Sequence, residues 1–244
     1  MNFHAWEWFL AALGALLVGV AKTGITGLSL LFVSIFASIM PARRSTGVVL
    51  PLLIVGDVIA VLSYHRHAQW GHVWRLFPWA AAGVVAGAFA MGRMDERQTR
   101  LAIGAIVVGL SVLHLARRAR PGDPGALRSA WFAPVVGMLA GFTTIVSNAA
   151  GPLMVIYLLA MRLPKMEYMG TGAVFFLMLN IFKVPFMVWL GLVTRASLLL
   201  NAELAPAVVA GTLLGRWLLG RINQRAFENI ALALTFAAGV RMFL

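Results

Sequence analysis

Residues Leu16–Leu31 read LLVGVAKTGITGLSLL, an apolar helical run interrupted at its centre by Lys22, Thr23, Gly24, Thr26 and Gly27. The apolar stretch around it covers about 4–40, which as one helix would be ~55 Å long. That exceeds a hydrocarbon core of ~30 Å, so a hairpin of two shorter helices meeting at the break fits better than one span. Backbone at membrane depth has no water to bond with. A break there is tolerated only inside protein or against a water-filled cavity. A lysine at such a depth is costly, which makes a binding role the favoured reading over a kinked packing helix with a snorkelling side chain.

The composition agrees with a membrane setting. The chain has 244 residues, 61% of them hydrophobic and only 11% charged, with a mean hydropathy of +0.89. A soluble domain of this size would need far more charge to cover its surface. Long apolar runs, rather than alternating short ones, argue against a β-barrel. The chain reads as an all-α polytopic membrane protein forming a single transmembrane domain over 1–244. With no cysteine, disulfides, thiolate metal sites and thiol relays are excluded. The opening residues carry no basic n-region, so no cleaved signal peptide is expected. The net charge of +12 does not indicate nucleic acid. The arginines fall in short loops between apolar runs, where membrane proteins hold basic residues.

Further spans are expected at about 45–64, 72–91, 98–116, 131–162 (interrupted near Ser147–Pro152), 167–191, 198–220 and 226–243. Trp6, Trp8, Trp70, Trp74, Trp131 and Trp189 lie near span ends, as interfacial anchors do. The segment ARRARPGDPGALRSA (116–130) is the clearest hinge, and it divides two similar halves. Pro78, Gly83, Gly87, Gly92, Arg93 and Arg97 match Pro206, Gly211, Gly215, Gly220, Arg221 and Arg225, each 128 positions later. Thr46-Gly47 matches Thr171-Gly172, and Gly27 in the first break matches Gly151 in the second. Such duplication characterises many transporter folds. Repeat one is expected over about 4–116, repeat two over about 131–244, with 117–130 as linker. The paired glycines read as close-packing positions between helices. If each interrupted segment enters and leaves on one side, Arg66, Arg75, Arg162, Lys165, Arg221 and Arg225 join the 117–128 loop in the cytoplasm. The halves are then inverted, with both termini outside.

Transporters use broken helices to aim helix N-termini at anions. The first break offers Lys22 with the donors Thr23 and Thr26, and Gly24 and Gly27 permit close backbone approach. The second, TTIVSNAAGP, offers Thr143, Thr144, Ser147 and Asn148, with Pro152 suited to start a second half-helix. Two more charges are embedded in apolar sequence: Asp57 in LPLLIVGDVIAVL and Lys183 in FFLMLNIFKVPFM, with Asn180 one turn before Lys183. Asp57 is expected to pair with a lysine when the site is empty. It either couples proton movement to anion movement or only holds helices in register.

An intramembrane enzyme is disfavoured. HExxH and GxSG motifs are missing, the histidines fall at span ends, and no P-loop provides for ATP. No catalytic residue, metal or cofactor is expected. A passive anion channel remains the alternative to a carrier. The stretches AKTGITG, LPLLIVGDVIAVLSYHRHAQW, SNAAGP and RLPKMEYMGTGAVFFLMLNIFKVP, with the two Gly-Arg loops, resemble the sulfite exporter TauE/SafE family, also called the 4-toluene sulfonate uptake permease family. The resemblance spans nearly the whole chain. It departs at Asn148 and AAGP, where the family often has a histidine or a fuller glycine run, and this bears on substrate choice. It implies a multi-pass transporter of the bacterial inner membrane that moves sulfite, a sulfonate or a related small anion. Its partners would be that anion and membrane lipid. The sequence leaves proton coupling, a homodimer and the direction of transport open.

Overall fold

The structure, a computed structural model, describes residues 4–23, 28–91 and 131–241 and the single positions 97, 108 and 112. The expected span at about 98–116, apart from 108 and 112, and the linker 117–130 lie outside the described residues. Within these bounds the chain is helical and has no strand. The helices are α1 (Ala5–Thr23), α2 (Ser29–Ile39), α3 (Ala42–Tyr64), α4 (Trp70–Ala90), α5 (Phe132–Ser147), α6 (Gly151–Ala160), α7 (Lys165–Trp189), α8 (Arg195–Arg221) and α9 (Gln224–Arg241). A single 3₁₀ turn, His65–His67, joins α3 to α4. Among the described residues, five helical stretches are long and apolar enough to cross a bilayer: Ala5–Thr23, Arg43–His67, Trp70–Ala90, Lys165–Trp189 and Arg195–Arg221. With the shorter apolar helices α5 and α6, this is the build of a multi-pass membrane protein.

Both interrupted segments fold back on themselves. A Cβ placed on Gly14 of α1 would lie 2.8 Å from the Phe36 ring of α2, so the end of α2 returns to the middle of α1. In the second segment, Phe132 at the start of α5 stacks on Tyr157 of α6 with centroids 5.8 Å apart. Local chemistry makes the second turn. α5 stops where Asn148 adopts a left-handed φ of 54°, a conformation asparagine tolerates better than most residues. α6 restarts with Pro152 in its first turn, where the missing N–H is harmless.

Each hairpin packs against a long helix through a seam without room for side chains. A Cβ on Gly211 of α8 would meet the Leu16 carbonyl of α1, and one on Gly83 of α4 would meet the Met138 carbonyl of α5. Likewise Gly215 faces Val20 as Gly87 faces Phe142, and Gly19 faces Val208 as Gly141 faces Ala80. Every hairpin residue in these contacts differs from its counterpart by 122 positions, and every long-helix residue by 128. In lipid, apolar burial does not drive helices together. Backbone approach at small residues and the resulting dispersion contacts do so instead.

Between the seams, α3 and α7 run antiparallel. Gly47 near the start of α3 abuts Leu192 after α7, while Gly170 near the start of α7 abuts Tyr64 at the end of α3. The base of the first hairpin therefore lies with the start of α3. The base of the second lies at the other end of α3, where His72 Nδ1 and the Tyr157 hydroxyl are 3.0 Å apart. The α7–α8 turn is closed by a capping box, with Ser197 N donating to Thr194 Oγ1 (3.2 Å) and Thr194 N to Ser197 Oγ (2.9 Å).

Candidate functional site

The end of α1, the start of α2 and the second hairpin's turn meet against the middle of α3 and α7 and line a cavity with an open mouth. Its polar lining comprises Lys22 and Ser29 from the first hairpin, Thr144 and Asn148 from the second, Asp57 from α3 and Asn180 from α7. The lining also includes the apolar residues Phe32, Leu53, Met154, Leu158, Met169 and Phe176.

Lys22 occupies the last turn of α1, where the helix dipole favours a cation. Its Nζ lies 2.7 Å from Asp57 Oδ1, with 11% of the lysine side chain and none of the aspartate exposed. The same Nζ stands 4.4 Å from the centroid of the Phe176 ring, which adds a cation–π contact. Asn180 Nδ2 donates to Asp57 Oδ2 at 2.6 Å. The buried carboxylate is thus held on both oxygens, the condition under which such a group is tolerated away from water.

Lys183 is fully buried and compensated differently. Its ammonium donates to Asn148 Oδ1 (2.7 Å), the Thr144 carbonyl (3.0 Å) and Thr144 Oγ1 (3.1 Å). These occupy its three donors with neutral oxygens. Asn148 in turn donates through Nδ2 to the Thr46 carbonyl at 3.1 Å, tying the second tip to the start of α3. Residue types of formal charge +1, −1 and +1 are therefore clustered at membrane depth beside an open volume.

The structure gathers Lys22, Asp57, Thr144, Asn148 and Asn180 on the cavity wall, with Lys183 directly behind Thr144 and Asn148. It pairs Asp57 with Lys22. The hydroxyls of Thr23, Thr143 and Ser147 bond elsewhere. Thr23 Oγ1 donates to the Thr212 carbonyl of α8 at 2.7 Å and lies 3.1 Å from the Gly19 carbonyl, so it locks the α1–α8 seam. Thr143 Oγ1 bonds back to Leu139 O at 2.8 Å, and Ser147 Oγ to Thr143 O at 3.2 Å. Gly24, Thr26 and Gly27 lie outside the described residues. Sequence reasoning passed over Ser29, Phe176 and Tyr168, all of which line the cavity. Ser29 carried a signal in its place two residues past the break. The aromatic residues carried none, since they resemble any lipid-facing or core residue of an apolar helix. Among the described residues, no group of three or more His, Cys, Asp or Glu side chains could hold a metal ion.

The family model described as Sulfite exporter TauE/SafE matches residues 11–242. No curated protein and no solved structure matches the chain.

Proposed function

The chain belongs to the sulfite exporter TauE/SafE family, whose members are membrane transporters of small anions such as sulfite. From that premise we propose that it is a secondary carrier which moves sulfite, a sulfonate or a related sulfur oxyanion across the bacterial inner membrane. The anion would bind at the junction of the two hairpin tips. The observation that carries this reading is the Lys22–Asp57 pair on the wall of an open cavity at membrane depth. A lysine held there by a carboxylate is a cation already neutralised in the empty site, and an entering anion competes with Asp57 for it. Asp57, displaced, takes up a proton, which links proton movement to anion movement. Lys183, held by neutral oxygens, supplies the second positive centre and draws the anion towards Asn148.

The proposed architecture is two inverted halves, about 4–116 and 131–244. Its support is the matched pair of seams and the hairpin bases at opposite ends of α3. Because the chain has no cysteine, single cysteines at Arg43 and Arg162, beside the two bases, are expected to label from opposite sides. Same-side labelling removes the inversion. The transport reading is tested in proteoliposomes with sulfite, sulfate, thiosulfate and alkyl sulfonates. Saturable uptake with counter-exchange of at least one sulfur oxyanion is expected. Linear flux without counter-exchange would assign a channel instead.

A further inference from the structure

Ser29 stands apart from the other polar groups of the cavity. The residue is 9% exposed and lines the open volume, and its buried Oγ has no hydrogen-bond partner. A buried hydroxyl without a partner is costly, and such orphans call for a physical reason. Helical serines usually avoid the cost by bonding back to the carbonyl four residues earlier, as Ser63 does to Ile59 at 2.8 Å and Ser147 to Thr143 at 3.2 Å. Ser29 is the first residue of α2, and its Oγ makes no such bond. Its hydroxyl lies against Gly151, and both residues line the cavity.

Three features around it favour an anion. α2 and α6 both begin at the cavity, with Ser29 and Gly151 as their first residues, and neither start carries a side-chain cap. Uncapped first-turn N–H groups and the positive end of the helix dipole both favour negative charge. Gly151 presses on Ser29 so closely that a Cβ there would collide with the Ser29 Oγ. Lys22 lines the same volume.

Resting on the carrier reading above, we propose that Ser29 is a direct hydrogen-bond donor to the transported oxyanion, and that Gly151 is bare so that the anion can reach this hydroxyl and both helix starts. Ser29 then sets specificity. It favours a ligand whose oxyanion oxygen reaches this hydroxyl while the rest of the anion meets Lys22, which a single spherical halide cannot do as well.

The test uses the purified full-length protein in nanodiscs, with sulfite as probe and chloride as control. Binding is measured by calorimetry and thermal stability by melting. Ser29→Ala should weaken sulfite binding about 10-fold to 100-fold, the range for a hydrogen bond to a charged group. It should weaken chloride binding less than sulfite binding and leave the ligand-free melting temperature unchanged or raised, because an unpartnered hydroxyl has been removed. Ser29→Thr, which keeps the hydroxyl, should recover part of the affinity. Gly151→Ala should lower sulfite affinity by displacing that hydroxyl. A Ser29→Ala protein that binds sulfite like wild type overturns the proposal while leaving the carrier reading in place. So does one whose ligand-free melting temperature falls, since Ser29 then has a structural partner. A wild-type protein that binds neither sulfite nor an alkyl sulfonate overturns both.

Discussion

The two hairpin tips are built on the same seam and carry opposite chemistry. By the 122-position correspondence of the seam contacts, Lys22 in the first tip stands where Thr144 stands in the second. Lys22 reaches across to a carboxylate on α3, Asp57, at 2.7 Å. Thr144 receives a cation from α7, Lys183, at 3.0 and 3.1 Å. In one half the hairpin brings the positive charge and the long helix answers it. In the other the long helix brings the charge and the hairpin solvates it with a hydroxyl, a carbonyl and an amide. Internal similarity thus constrains backbone approach far more tightly than polar content. Glycine at a backbone contact has no substitute, whereas a buried charge can be compensated from either side.

The strongest way to break this comparison is to remove each cation. Lys22→Met leaves Asp57 buried without its counter-charge, and breaking such a pair costs ~3–5 kcal/mol. The expected outcome is a large drop in melting temperature together with loss of sulfite flux. The double variant Lys22→Met/Asp57→Asn should regain most of the stability and none of the flux. If the double variant transports normally, the first tip is a structural clamp and the contrast collapses.

Lys183→Met should weaken sulfite binding by about two orders of magnitude, in keeping with the 2–5 kcal/mol typical of losing one member of a buried charged hydrogen-bonded set. Lys183→Arg should restore little of it. A planar guanidinium cannot direct three donors at Asn148 Oδ1 and the two oxygens of Thr144 as an ammonium does. Calorimetric titration of sulfite against both variants is the check.

Asp57→Asn sharpens the comparison because it converts the first tip into the charge state of the second, a lysine held by neutral oxygens. Anion binding should be kept or strengthened, with Lys22 freed to meet the ligand. Accumulation driven by a pH gradient across the liposome should be lost. Wild-type pH dependence in this variant would return Asp57 to the role of a packing partner.

The smallest effect is expected at two threonines near the tips. Thr23→Val removes the bond to Thr212 in the neighbouring helix and should lower stability by ~1 kcal/mol. Thr143→Val removes only bonds within its own helix and should cost less. Equal losses in denaturation experiments would show that the cross-helix bond contributes nothing extra.

Much of this was legible in the order of residues. The breaks at Lys22–Gly27 and Ser147–Pro152 are visible because charge, glycine and proline interrupt runs otherwise dictated by lipid. The spans around them follow from length alone. Asp57, Asn180 and Lys183 stand out for the same reason, since a polar group in an apolar helix is expensive wherever the helix sits. Glycines at matching intervals announced two similar seams, because only the missing Cβ permits that approach.

What sequence could not decide was which partner each such group would find. That Asp57 meets Lys22 while Lys183 meets Asn148 depends on how far the two tips advance along α3 and α7, a matter of a few ångströms set by seam packing. That Thr23 turns into the α1–α8 seam while Ser29 faces the cavity depends on rotation about helices whose apolar faces are nearly uniform in lipid. A helix surrounded by hydrocarbon has no strong inside and outside written into its pattern. Its inner face is chosen by the neighbours it packs against, and those neighbours exist only in the folded molecule.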